Sequence, residues 1–198
     1  MTCKIFLNPD TNRTIDSNPE SIITLGSYFP QRGKHYSDLD NFSNLVLHIK
    51  KDEDRLNKVS GEEYHYNKAI KQFIDLLRSM LSYKDEYVIC VMPSHKKGTK
   101  PTGIRRIAKE LCSPPVINGT NVLSRKFELQ KKSTGGARDL QKEIESLTVE
   151  DKGVIKDKQV LLIDDVTTSG TSLVAGRMVL KNAGAELVAL FALGKTED

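Results

Sequence analysis

The chain has 198 residues, 38% hydrophobic and 28% charged, with 30 basic and 26 acidic side chains for a net charge of +4. That length supports one domain with a full core, or one domain plus an elaboration. The composition is that of a globular protein, and no apolar run approaches the ~20 residues that cross a bilayer.

The mild positive charge suits an anionic small molecule and does not demand nucleic acid. There is no tryptophan, and no aromatic-studded basic groove of the kind that single-strand binders use. The first residues lack the apolar core of a signal peptide. Three widely spaced cysteines, Cys3, Cys90 and Cys112, give neither a disulfide framework nor a zinc pattern. Their odd number fits a reducing cytoplasm, which is the expected location.

Residues 21–26 and 45–49 read as short strands divided by a polar stretch. The first 60 residues are the least patterned and are set apart from a core domain over 61–198. Tyr66, Ile70, Phe73, Leu77 and Leu81 recur at helical spacing and predict a long amphipathic helix over 64–82. The continuous apolar run at 87–92 predicts a buried parallel strand, stopped by Pro93. A polar loop follows at 94–100. Ile104, Ile107, Ala108 and Leu111 mark a second helix. Residues 116–117 and 122–123 are candidate strands, 125–136 a mobile loop and 140–147 a short helix. A strand at 160–163, a helix at 171–183 closed by Gly184, and a strand at 187–193 complete the chain. Strand, helix and strand in that order imply a right-handed crossover and a parallel sheet. Ligands of such sheets bind at the carboxyl ends of the strands. Both the 94–100 and the 164–171 loops lie there.

The most informative segment runs from Val160 to Ser172. An apolar strand ends in Asp164 and Asp165. Then come Val166, Thr167, Thr168, Ser169, Gly170 and Thr171, entering a helix. Two carboxylates can accept hydrogen bonds from sugar hydroxyls. A hydroxyl-rich turn at a helix N-terminus offers N–H donors and a favourable dipole to a phosphate. Taken alone, the two aspartates are equally read as solvated strand-end carboxylates. The whole order of strand, acids, turn and helix favours a sugar phosphate.

This segment resembles the 5-phosphoribosyl 1-pyrophosphate (PRPP) signature of the type I phosphoribosyltransferases. The resemblance implies an α/β fold: a doubly wound, mostly parallel sheet with a small N-terminal hood over the site, formed here by residues 1–60. It implies that Asp164 and Asp165 bind the ribose and Mg²⁺, and that residues 166–171 hold the 5′-phosphate. Ser94, His95, Lys96, Lys97 and Gly98 are similar in place to the family's diphosphate loop, although a plain basic connection remains open. Arg125 and Lys126 begin a segment similar to the family's closing loop, with an ordinary surface loop as the alternative.

The implied reaction transfers phosphoribose to a nitrogen acceptor with release of pyrophosphate. Asp164, Asp165, Lys96 and Arg125 would carry it. The acceptor is not identified, and a homodimer is admitted. The spacing of Arg125, Gln130 and Arg138, and the segment 102–111, are closest to the ComF-like branch. This chain lacks that branch's N-terminal cysteine cluster, and Lys100-Pro101-Thr102-Gly103 stands in place of its Arg-Gly-Phe-Asn stretch. A PRPP-binding sensor without catalysis, or a DNA-processing accessory, are the other readings.

Overall fold

A computed structural model describes residues 3–7, 11, 21–33, 35–51, 56, 61–129 and 139–197. Gln130, Arg138 and the pair Lys131-Lys132 lie outside them. The described chain forms β1 (Ile22–Tyr28), α1 (Asn41–Ile49), α2 (Glu62–Met80), β2 (Val88–Val91), α3 (Gly103–Leu111), β3 (Ile117–Gly119) and β4 (Leu123–Arg125). It continues with α4 (Leu140–Ser146), β5 (Leu147–Val149), β6 (Gln159–Thr167), α5 (Thr171–Asn182) and β7 (Leu187–Thr196). Five strands make one sheet in the order β1-β7-β6-β2-β3, every neighbouring pair parallel. β4 and β5 form a separate antiparallel ribbon. The parallel α/β sheet is the expected fold.

Parallel strands covered on both faces should read as unbroken apolar runs, and β2 is buried at all four positions. Its residues alternate between two cores. Ile89 and Val91 join Leu161, Ile163, Ala189 and Phe191 beneath α1, α2 and α3. Val88 and Cys90 join Val160, Leu162, Val188 and Leu190 on the face that carries α5 and the ribbon. The helices are therefore split between the two faces. In α2 the buried residues Tyr66, Ala69, Ile70, Phe73, Ile74 and Leu77 form the stripe that the periodicity predicted.

One expectation for the N-terminal part is corrected. Residues 45–49 belong to α1, not to a strand. Asp40 caps that helix: its carboxylate accepts from the Ser43 N–H at 2.8 Å and the Ser43 hydroxyl at 2.6 Å. Ser43, Val46 and Ile49 are the buried face, a three-residue spacing that the short apolar run Leu45-Val46-Leu47 conceals. The described residues of the N-terminal part pack on the same sheet and helices as the rest. β1 pairs with β7 from Ile22↔Leu190 to Tyr28↔Thr196. Residues 5–7 are tied to the end of α2, through Leu7 N–H to Met80 C=O at 2.8 Å and Ser82 N–H to Ile5 C=O at 2.7 Å.

His48, near the end of α1, stacks on His65 of α2 with ring centroids 5.1 Å apart. Burial pushes its imidazole below the usual 6.5, and the nearby Lys51 and His65 add to the shift. A residue neutral in the fold and protonated in the unfolded chain stabilises above its unfolded pKa. That stability is lost as pH falls through the lowered folded value. Thermal unfolding followed from pH 8 to pH 5 should therefore show a falling Tm, and His48→Gln should flatten that slope.

Candidate functional site

The sheet has one place where the chain turns in opposite directions. From β2 it passes through α3, on one face, outward to β3. From β6 it passes through α5, on the other face, to β7. β2 and β6 are neighbours, so the loops at their carboxyl ends part. A crevice at such a switch point is where ligands of doubly wound sheets bind. The loops that part here are the two named from the sequence, 94–100 and 164–171.

β2 follows β6 only to Val91↔Ile163, with Met92 N–H reaching Ile163 C=O at 2.9 Å. Pro93 then carries the chain away. β6 continues beside β7 as far as Thr167↔Lys195. It therefore runs with one edge unpaired among the described residues, and the acids there bond to the backbone beside them. Asp164 Oδ1 accepts from the Asp165 N–H at 2.8 Å, and Asp165 Oδ1 accepts from the Val166 N–H at 2.6 Å. The strand alternation also slips at this point. Ile163 and Val166, three residues apart, pack against the same core. Asp164 and Asp165 occupy the slip, both half-buried.

Thr167 ends the strand and is buried, so the turn proper is shorter than the sequence implied: Thr168, Ser169 and Gly170. Thr168 and Ser169 are exposed. The Ser169 and Thr171 hydroxyls lie 2.9 Å apart, and Thr168 donates to Thr196 at 3.1 Å. Gly170 is the N-cap of α5 with φ of 78°. Its lack of a side chain permits that left-handed backbone. The first-turn N–H groups of α5 face the turn, as at any helix start.

Across the crevice, Ser94, His95, Lys96 and Gly98 are partly exposed and Lys97 fully so. Neither lysine pairs with another described residue. Ser94 Oγ is buried without a hydrogen-bond partner among the described residues. The backbone of this loop is held firmly. Gly98 N–H donates to Arg125 C=O at 2.9 Å, and Leu129 N–H to His95 C=O at 2.9 Å. Arg105, a buried residue of the first turn of α3, donates to Lys100 C=O at 3.1 Å and to Thr120 C=O.

Arg125 is not the free cation of a mobile loop. It lies in β4, paired across to Leu147. Its side chain is only 3% exposed and forms an ion pair with Glu143 at 2.8 Å. Nε donates to Ser94 C=O at 3.1 Å, and a second nitrogen donates to Ser146 Oγ. A guanidinium so engaged is not available to a leaving group. Lys126 beside it is exposed.

A different cation, missed in the sequence, reaches the paired acids. Lys50, at the C-terminal end of α1, places Nζ 3.3 Å from Asp165 Oδ2 and 5.6 Å from the centre of the Tyr28 ring. Burial alone would push its pKa down. The Asp165 carboxylate, together with Tyr28 and Asp164, outweighs that and raises it, so the ammonium stays charged at neutral pH. Lysine pairs at 50–51 and 96–97 look alike in sequence, and only tertiary packing separates them. Gly103 lets the start of α3 approach the Ile49 backbone at the end of α1, where an added Cβ would clash with it. Cys90 offers no nucleophile, since burial pushes its thiol up to about 12.

The phosphoribosyl transferase domain family matches residues 68–195. Among solved structures the chain is similar to a purine phosphoribosyltransferase from Pyrococcus horikoshii Ot3. Identity is 21%, covering 68% of this chain and 86% of that one, with a TM-score of 0.38. It is also similar to a hypoxanthine phosphoribosyltransferase from Staphylococcus aureus, at 12% identity over 79% and 75% of the two chains, with a TM-score of 0.35. No curated protein matches it.

Gly170→Val forces a β-branched residue to a φ of 78°, at a cost of about 1–3 kcal/mol. We expect Tm to fall by several degrees and calorimetric binding of ribose 5-phosphate to be lost. Unchanged affinity would show that the turn does not hold the phosphate.

Proposed function

The chain belongs to the phosphoribosyl transferase domain family, and from that premise we propose that it transfers the phosphoribosyl group of PRPP to a nitrogen acceptor. Phosphoribosyl transfer is glycosyl transfer, so the family makes this a glycosyltransferase-type enzyme. The observation that carries the finer reading is the crevice between the parted ends of β2 and β6, with the acids and hydroxyl turn on one side and the basic loop on the other.

In this reading the 5′-phosphate lies against Thr168, Ser169, Gly170 and Thr171 at the start of α5, where N–H donors and helix dipole favour an anion. Val166 and Thr167 shape the strand leading to it. Asp164 and Asp165 face the ribose hydroxyls. Ser94, His95, Lys96, Lys97 and Gly98 meet the diphosphate, with Lys126 at the rim. The C1–O bond to diphosphate breaks and the electron pair leaves with pyrophosphate. A C1–N bond forms, and the acceptor nitrogen gives up its proton. The transition state is oxocarbenium-like, as in other glycosyl transfers. Lys96 and Lys97 would steady the charge growing on the leaving group. Lys50 replaces Arg125 as the third cation of the site.

The residues present fit Mg²⁺. Asp164 and Asp165 are hard oxygen donors. Among the described residues no group of three or more His, Cys, Asp or Glu could enclose an ion. That is the setting for an ion bound by one or two carboxylates together with substrate phosphates. When bound, Mg²⁺ neutralises charge on the diphosphate.

A second reading is favoured by the withdrawal of Arg125 from the crevice: a module that binds PRPP and does not turn it over. Incubating the protein with PRPP, Mg²⁺ and a pool of bases and amines decides between the two. Transfer gives pyrophosphate above the no-acceptor control, and a sensor gives binding alone. Asp164→Asn and Asp165→Asn should each cut transfer by about a hundredfold or more. Lys50→Met should weaken PRPP binding several-fold, about three to ten, with the difference shrinking as salt is raised.

A further inference from the structure

Beyond the crevice lies a buried charged pair that the chemistry above does not use. Arg125 and Glu143 are 3% and 5% exposed at the side chain, with 2.8 Å between Nη2 and Oε2. Taking two charges out of water costs several kcal/mol per ion, and well-packed apolar residues often serve stability as well or better. Stability is therefore a weak reason for the pair to be there. Its remaining partners supply a better one.

On one side, Arg125 Nε donates to the Ser94 carbonyl at 3.1 Å, and the Arg125 carbonyl accepts from the Gly98 N–H at 2.9 Å. Ser94 and Gly98 bound the basic loop after β2. On the other side, Glu143 Oε1 accepts from the Ser172 hydroxyl at 2.9 Å, and Ser172 is buried in the first turn of α5. Ser146 braces the centre: it receives a hydrogen bond from Arg125 and donates to the Glu143 carbonyl at 2.6 Å. An unbroken series of polar contacts thus joins Ser94, Arg125, Glu143 and Ser172. It runs beneath the crevice from one proposed anion subsite to the other.

We propose that Arg125 and Glu143 are positioning residues that set the separation of the diphosphate loop and the 5′-phosphate helix. The inference rests on the substrate reading above: a single molecule carrying a phosphate at one end and a diphosphate at the other needs the two subsites held at one spacing. The pair touches neither anion. It acts through the Ser94 carbonyl and the Ser172 hydroxyl.

The test is a cross-effect. Inorganic pyrophosphate and ribose 5-phosphate are titrated separately by calorimetry, with Mg²⁺, into the full chain and its Ser172→Ala, Ser172→Thr and Glu143→Gln variants, with Tm recorded for each. Ser172 sits at the phosphate end, so a local role would alter ribose 5-phosphate binding alone. The expected result is that Ser172→Ala also weakens pyrophosphate, at the far end, by about fivefold or more. Ser172→Thr, which keeps the hydroxyl, should restore it. Glu143→Gln should weaken both ligands. If Glu143→Gln fails to fold, the two Ser172 variants decide the matter. Pyrophosphate affinity unchanged in Ser172→Ala, with wild type binding both ligands, overturns the coupling and leaves the substrate reading standing. Wild type binding neither ligand overturns both.

Discussion

The site depends on one geometric fact: β2 stops and β6 goes on. Side by side, the two strands satisfy each other's amides up to Val91 and Ile163. Past that point the β2 side of β6 has no strand to bond among the described residues, and Asp164 and Asp165 each accept from the N–H that follows. The same divergence opens the space that a ligand needs. Acidic side chains at this spot, directly after four buried apolar residues, serve the backbone locally and, in the proposed reading, the ligand as well.

Charge at the site is arranged in two layers. Near the solvent, Lys50 meets Asp165 in a partly exposed contact. Such contacts are worth little as stability but matter for attracting anions. Below it, Arg125 and Glu143 are sealed from water. Losing one partner there would strand a buried charge at a cost of about 3–5 kcal/mol. The upper layer is free to exchange partners, whereas the lower one is committed to the scaffold.

Much of this architecture is legible in the residue order. The alternation of apolar runs and helical periods after residue 64 places α2, β2, α3, β6, α5 and β7 close to where they stand, because each is either buried on both faces or striped on one. The crevice follows from connectivity alone. The difficult parts have physical causes. α1 is nine residues long and shows an apolar cluster shorter than one helical repeat, so its period could not be separated from that of a strand. Its Asp40 and Ser43 cap was the available signal. Arg125 was mistaken for a loop cation because β4 is only three residues long, and its carboxylate partner lies 18 positions further on. Lys50 reaches Asp165 from over 100 positions away, a contact that no local pattern encodes.

The strand Ile22–Tyr28 has a consequence for what counts as the unit that folds. Family similarity begins at residue 68, yet β7, buried at its first eight positions, is lined on its outer side by β1. A fragment trimmed to the matched region would leave Leu190-Phe191-Ala192-Leu193-Gly194 as a bare, uncharged sheet margin, the kind of template on which chains stack into aggregates. The poorly patterned N-terminal part thus supplies the strand that covers this margin.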